Sequence, residues 1–182
     1  MAKHQVLGAG AALALVAAAA LTVGMATASR AQPAPDLEDC ADVVGTYLTK
    51  SFRERGNPDN FTARSLLSLT NGGHAIFADS AQAGTPDYRP FSIGKGAWRC
   101  VSKVDGKSRI SVVILDFTFA TKDDPKQQIG RLDLDAVVDA ETGKLDSKAT
   151  LHFVPLPSNP MDQGVLGTGE KFRIVGEKVS AP

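Results

Sequence analysis

The punctuation of this chain constrains its fold most. Between residues 43 and 179, turn-forming residues recur at intervals of about 10, and apolar and polar positions alternate between them with a period of two. Alternation over so short a span is the mark of a half-buried strand, since successive side chains of a strand point to opposite faces. The clearest case runs from Ile129 to Asp139. Leu132, Leu134, Ala136 and Val138 alternate there with Arg131, Asp133, Asp135 and Asp139, which implies one wet face. Leu145 to Val154 repeats the pattern, and Pro155, Pro157 and Pro160 then end it, because proline cannot donate to a ladder. Ser108 to Ala120 is apolar on both faces, with Ile110, Val112 and Ile114 on one and Val113, Leu115, Phe117 and Phe119 on the other. Five more strands are expected at Val43–Phe52, Phe61–Thr70, His74 to about Ala81, about Ala97–Lys103 and about Glu170–Val179. Asn71-Gly72 and Asp105-Gly106 read as tight turns whose residues tolerate positive φ, and Ala140 to Gly143 as a type I turn closed by a left-handed glycine.

About eight consecutive antiparallel strands joined mostly by short turns predict an all-β fold. An up-and-down β-barrel is favoured because closure removes the sheet edges; the alternative is a two-layer β-sandwich. No long amphipathic helix is expected, only short turns at Leu37–Val43 and within Pro157–Leu166. The barrel domain spans residues 43–179, preceded by a flexible leader at 32–42 and followed by a tail at 180–182.

The first 31 residues read as a secretory signal peptide. A short basic start holding Lys3 is followed by an uncharged Ala, Leu, Val and Gly run from Val6 to Met25, then by small residues at Ala26-Thr27-Ala28 and Ser29-Arg30-Ala31. Cleavage after Ala28 or Ala31 fits, with Ala31 preferred. The competing reading, a retained anchor, is disfavoured by the Ala and Gly content of the run and by its small, polar exit. Loss of Lys3 and Arg30 leaves 18 basic residues against 20 acidic ones, a net charge near −2. That balance offers no basic stripe for nucleic acid. The localisation expected is periplasmic or secreted, with no stable membrane anchor after cleavage. Two cysteines, Cys40 and Cys100, are expected to pair in such a compartment, since neither has a neighbouring Cys or His for redox or catalytic work.

Three short motifs carry a resemblance. Gly45-Thr46-Tyr47, Asp79-Ser80-Ala81-Gln82 and Gly96-Ala97-Trp98 resemble a group of small exported bacterial β-barrel proteins without an assigned activity, over about residues 43–179. The pattern is also loosely similar to the calycin barrels. Lipocalins carry a Gly-x-Trp at a strand start and a basic residue of the last strand stacked on the indole. In this chain Gly96-Ala97-Trp98 opens the fourth strand rather than the first, where Tyr47 stands, so the likeness stops short of a true lipocalin. Arg173 would take the stacking role. The resemblance implies a barrel and an exported location, and no substrate.

Chemistry-bearing motifs are scarce. His74 and His152 lack the spacing of zinc ligands, the glycines from Gly164 to Gly169 form a loop rather than a phosphate cradle, and no nucleophile elbow or dinucleotide fingerprint occurs. No metal and no cofactor is expected. Candidate ligand-binding residues are Asp79, Ser80 and Gln82, as a polar rim on a barrel mouth, with Arg64 and Trp98; the structural alternative for the Asp-Ser cluster is a strand-ending turn. Asp116 is the one candidate catalytic residue. It falls in phase with Ile110, Val112 and Ile114, so its carboxylate is expected inside, paired with one of Arg64, Arg99, Arg109, Arg131 or Arg173, or else perturbed. Three functions fit: a carrier of a small apolar or amphipathic molecule, a barrel enzyme of the allene oxide cyclase or dirigent kind, or a structural protein with a filled core.

Overall fold

A computed structural model describes residues 37–54, 61–86 and 88–180. The segment read as a signal peptide, the leader up to residue 36, residues 55–60, residue 87 and the last two residues lie outside the described residues. The domain is an eight-stranded antiparallel barrel in which each strand pairs with its neighbour in sequence and the last returns to the first. The strands are β1 (Gly45–Arg53), β2 (Ala63–Leu69), β3 (His74–Asp79), β4 (Gly94–Val104), β5 (Lys107–Phe117), β6 (Gln128–Asp139), β7 (Lys144–Pro155) and β8 (Glu170–Lys178). Closure runs from Tyr47↔Lys178 to Arg53↔Phe172. The barrel expected from the alternation is therefore the fold, and the sandwich is excluded.

The two ends differ because the connections differ. At one end the turns are short. Asp105 and Gly106 both have positive φ, 49° and 74°, which matches the right-handed strand twist and makes a two-residue hairpin. At the β2–β3 turn the left-handed residue is Gly73, with φ 75°, rather than Asn71 or Gly72 as the sequence suggested. The turn therefore carries one residue more than a two-residue hairpin, and Gly73 N–H closes it onto Thr70 O at 3.1 Å. At the other end the connections after β1, β3, β5 and β7 are long. β4 begins at Gly94, three residues earlier than expected, because Gly94 and Gly96 carry no side chain to reveal a strand phase.

The short-turn end is sealed. Residues Leu37–Val43, expected within a flexible leader as at most a turn, form a 3-10 helix whose Cys40 and Val43 are buried. A disulfide joins Cys40 to Cys100 on β4. The Asp42 carboxylate accepts from Lys103 Nζ at 2.8 Å and from Ser108 Oγ at 2.9 Å. Burial raises the Asp42 pKa, but these hydrogen bonds outweigh it and hold the carboxyl below its ordinary value. Beneath the helix, the Tyr47 hydroxyl donates to Val43 O at 2.7 Å, and burial pushes that phenol up to about 12. Tyr47, Leu67, Leu69, Trp98, Ile110, Val112, Leu134, Val138 and Leu145 then fill this half of the barrel. The polar atoms among them are all satisfied, as in Thr49 to Ser65 O and Ser147 to Ile174 O.

Outside, β6 departs from the wet face its alternation implied. Arg131 is only 5% exposed, because the proline-rich connection after β7 folds across it. Its guanidinium donates to Pro160 O at 2.7 Å and to Asp133 Oδ1 at 2.8 Å. Ile129 and Val154, paired across β6 and β7, are buried as well.

The helix covers the barrel end through few residues, so the disulfide should contribute much of the seal. Closing a loop of 60 residues is worth about 4 kcal/mol in the chain-entropy picture. A Cys40→Ala, Cys100→Ala double variant should keep its β-sheet circular dichroism and lose about 3–4 kcal/mol in urea unfolding. An unchanged unfolding midpoint would show that the bridge does not secure the seal.

Candidate functional site at the open end of the barrel

Antiparallel order brings the ends of β1, β3, β5 and β7 together with the starts of β2, β4, β6 and β8. That rim surrounds a cavity of about 380 Å³, within the range of small-molecule sites. Its walls are mostly apolar: Ala63, Phe77, Phe91, Leu132, Leu151, Phe153, Phe172 and Ile174. Its charged groups and their partners sort into three sets, beside the hydroxyls of Ser51, Thr62 and Thr118.

The first set spans the rim between β1, the β3–β4 loop and β8. Arg53 Nε lies 2.8 Å from Glu170 Oε1, and Arg53 Nη2 donates to Tyr88 Oη at 2.7 Å. Tyr88 Oη donates in turn to Glu170 Oε2 at 3.0 Å, and the guanidinium carbon sits 5.1 Å from the Tyr88 ring centroid. Burial raises the Tyr88 pKa, an effect that Arg53 opposes and Glu170 reinforces. The second set ties the loops after β3 and β5. Arg89 donates to Lys126 O and Gln128 Oε1 and lies 3.3 Å from Asp124.

The third set is acidic. Asp79, at the end of β3, accepts from Ser65 Oγ at 2.6 Å and from the Ala81 N–H at 2.7 Å. Asp116, near the end of β5, faces inward as its phase required. Burial pushes its pKa from 3.8 up to about 6; the Gly130 N–H donates to the carboxylate and opposes the rise, while the charge of Asp79 adds to it. Gly130 stands opposite Asp116 across the β5–β6 ladder. A Cβ at position 130 would collide with the Asp116 carboxylate, so the missing side chain is what gives the carboxylate its seat.

None of the five arginines considered as partners reaches Asp116. Arg109 pairs with Asp135, Arg131 with Asp133 and Arg173 with Asp146, all on the outer side of the barrel wall. Arg64 stacks 5.4 Å from the Phe61 ring centroid, and no ion pair between Arg99 and Asp116 is found among the described residues. The outward phase of these residues explains the result, because a barrel wall separates them from an inward carboxylate.

The remaining candidates divide. Asp79 lines the cavity, whereas Ser80 accepts the Arg64 N–H at 3.0 Å and Gln82 accepts the Asp79 N–H at 3.2 Å, so both shape the loop rather than the wall. Arg64 does not line the cavity. Trp98 lies in the sealed half, 4% exposed, with its indole donating to Thr70 O at 2.9 Å. It is part of the core next to the disulfide, and Arg173 does not stack on it. His74 and His152 stay apart: His152 Nδ1 lies 3.0 Å from Gly167 O on the outer wall. No group of His, Cys, Asp or Glu able to hold a metal occurs among the described residues. Arg53, Tyr88 and Glu170 escaped the sequence reading because Tyr88 and Glu170 are 82 residues apart with no local pattern between them.

No family profile matches the chain, and neither does any curated protein or solved structure.

The raised pKa makes Asp116 a measurable reporter. The folded protein holds this proton more tightly than the unfolded chain, so Asp116 supports folding below 3.8 and that support is lost as pH rises through about 6. Asp116→Asn removes the ionisation. Its stability relative to the parent protein should climb between pH 3.8 and 6 and then level off, by at most about 3 kcal/mol. Urea unfolding of both proteins from pH 4 to 7.5 checks this; a difference independent of pH would contradict it.

Proposed function

We propose that this protein is an exported carrier that binds one small apolar or amphipathic molecule in the open end of its barrel. The carrying observation is the uneven filling of the interior. One half is packed with side chains and sealed, while the other leaves about 380 Å³ behind an apolar wall. A protein needing only stability would gain by filling that space, since unfilled volume costs dispersion contacts. Export is supported by the N-terminal sequence pattern and by the Cys40–Cys100 disulfide, a bond favoured in oxidising compartments. The resemblance to small exported bacterial barrels supports the same placement.

A second reading keeps one observation of its own. Asp116 is a carboxyl with a pKa of about 6 beside apolar walls, which suits proton transfer near neutral pH. In that reading the cavity guides an isomerisation or cyclisation and Asp116 moves the proton. The paired state of Arg53 and Arg89 leaves no second group poised to share that work, so binding is the preferred function.

A neutral apolar fluorophore, N-phenyl-1-naphthylamine, should bind the disulfide-bonded protein saturably with one molecule per chain. Ala63→Phe, which projects a ring into the cavity from β2, should weaken it by tenfold or more, about 1.4 kcal/mol. Absence of saturable binding, or binding indifferent to Ala63→Phe in a folded variant, would remove the carrier reading.

A further inference from the structure

Within the carrier reading, the charges of the cavity point to a class of ligand. Five charged residues line it: Arg53 on β1, Asp79 on β3, Arg89 on the β3–β4 loop, Asp116 on β5 and Glu170 on β8. Both cations are engaged within the wall, Arg53 by Glu170 and Tyr88 and Arg89 by Asp124 and two oxygens of the β5–β6 segment. Glu170 is consumed in the same way. Asp79 has an oxygen turned to Ser65 and another to the Ala81 N–H. Asp116 is different. No ion pair to it exists among the described residues, its neighbour across the ladder is a glycine, and the hydrogen bond that steadies it comes from a single backbone N–H. The carboxylate therefore has acceptor capacity facing the cavity. Around it are the rings of Phe77, Phe91, Phe153 and Phe172.

A carboxylate with spare acceptor sites, inside aromatic walls whose own cations are spent, is a setting for an organic cation. The carboxylate supplies a charge-assisted hydrogen bond, and ring faces attract positive charge as well. A ligand carboxylate would meet Asp116 and Asp79 as like charges. We infer that the cavity takes a small hydrophobic primary amine, bound as the ammonium with its N–H groups on Asp116 and its apolar body against the phenylalanines. Gly130 acts as a positioning residue: it makes room for the carboxylate and presents the backbone N–H that steadies it.

Three probes of one shape test this: 3-phenylpropylamine, 3-phenylpropan-1-ol and 3-phenylpropanoate, titrated calorimetrically into the disulfide-bonded protein. At pH 7.5 the amine should bind at least about tenfold tighter than the alcohol, and the acid weakest. At pH 5, where Asp116 is mostly protonated, the preference for amine over alcohol should shrink toward none. Asp116→Asn should abolish that preference at both pH values. Gly130→Ala should reduce the preference in the same direction, since the added Cβ displaces the carboxylate. If the alcohol binds as tightly as the amine at pH 7.5, or Asp116→Asn keeps the preference, the amine inference is overturned and the carrier reading stands. If none of the three probes competes with a saturably bound fluorophore, the amine inference is likewise overturned and the carrier reading stands; if neither the fluorophore nor any probe binds, both fall.

Discussion

The pairing of β1 with β8 is the constraint on which the rest of this structure depends. Without it the eight strands would be an open sheet with two edges and no inside. With it, Tyr47↔Lys178 through Arg53↔Phe172 bond the first strand to the last, and every alternating apolar position becomes an interior one. An eight-stranded barrel is just wide enough for side chains to fill, or for one small ligand to enter. This chain fills one end with side chains and leaves a cavity of about 380 Å³ at the other.

What separates the two ends is the segment ahead of β1. The Leu37–Val43 helix lies over the short turns, fixed by a disulfide, by the Asp42 carboxylate and by the hydrogen bond from Tyr47. Large side chains pack below it. The opposite end has long connections and a rim tied by Arg53, Tyr88 and Glu170. Those ties link a strand end, a loop and a strand start, so they hold the mouth in shape without closing it. The filled core thus lies where the turns are tight and the candidate site where the loops are long, a division familiar in folds that present sites on a rigid frame.

The strands were legible in the sequence because each buries one face, and a period of two survives in β2, β6 and β7 with little interruption. Legibility failed where another segment changed the solvent exposure. Arg131 looks like a wet-face residue until the proline-rich connection covers it. The glycines that open β4 hide its first turn of pleat. Asp116 was found by phase alone, and phase also put its candidate arginine partners on the wrong side of the wall. The site as a whole was half-legible. In an up-and-down barrel the last residues of odd strands meet the first of even ones, which places Arg53, Asp79, Asp116, Gln128 and Glu170 on one rim. The same rule places Trp98, well into β4, toward the sealed half. The contact of Tyr88 with Glu170 had no such signal, because loop conformation decides it.

One barrel interior is divided into a filled half and an open cavity. Methyl NMR on the disulfide-bonded protein, titrated with a small neutral arene such as toluene, tests it directly. Saturable shifts are expected at Leu132, Leu151 and Ile174, which line the cavity, with still resonances at Leu67, Ile110 and Leu145 in the sealed half. Equal shifts in both sets, or shifts confined to outward methyls such as Val137, would contradict it.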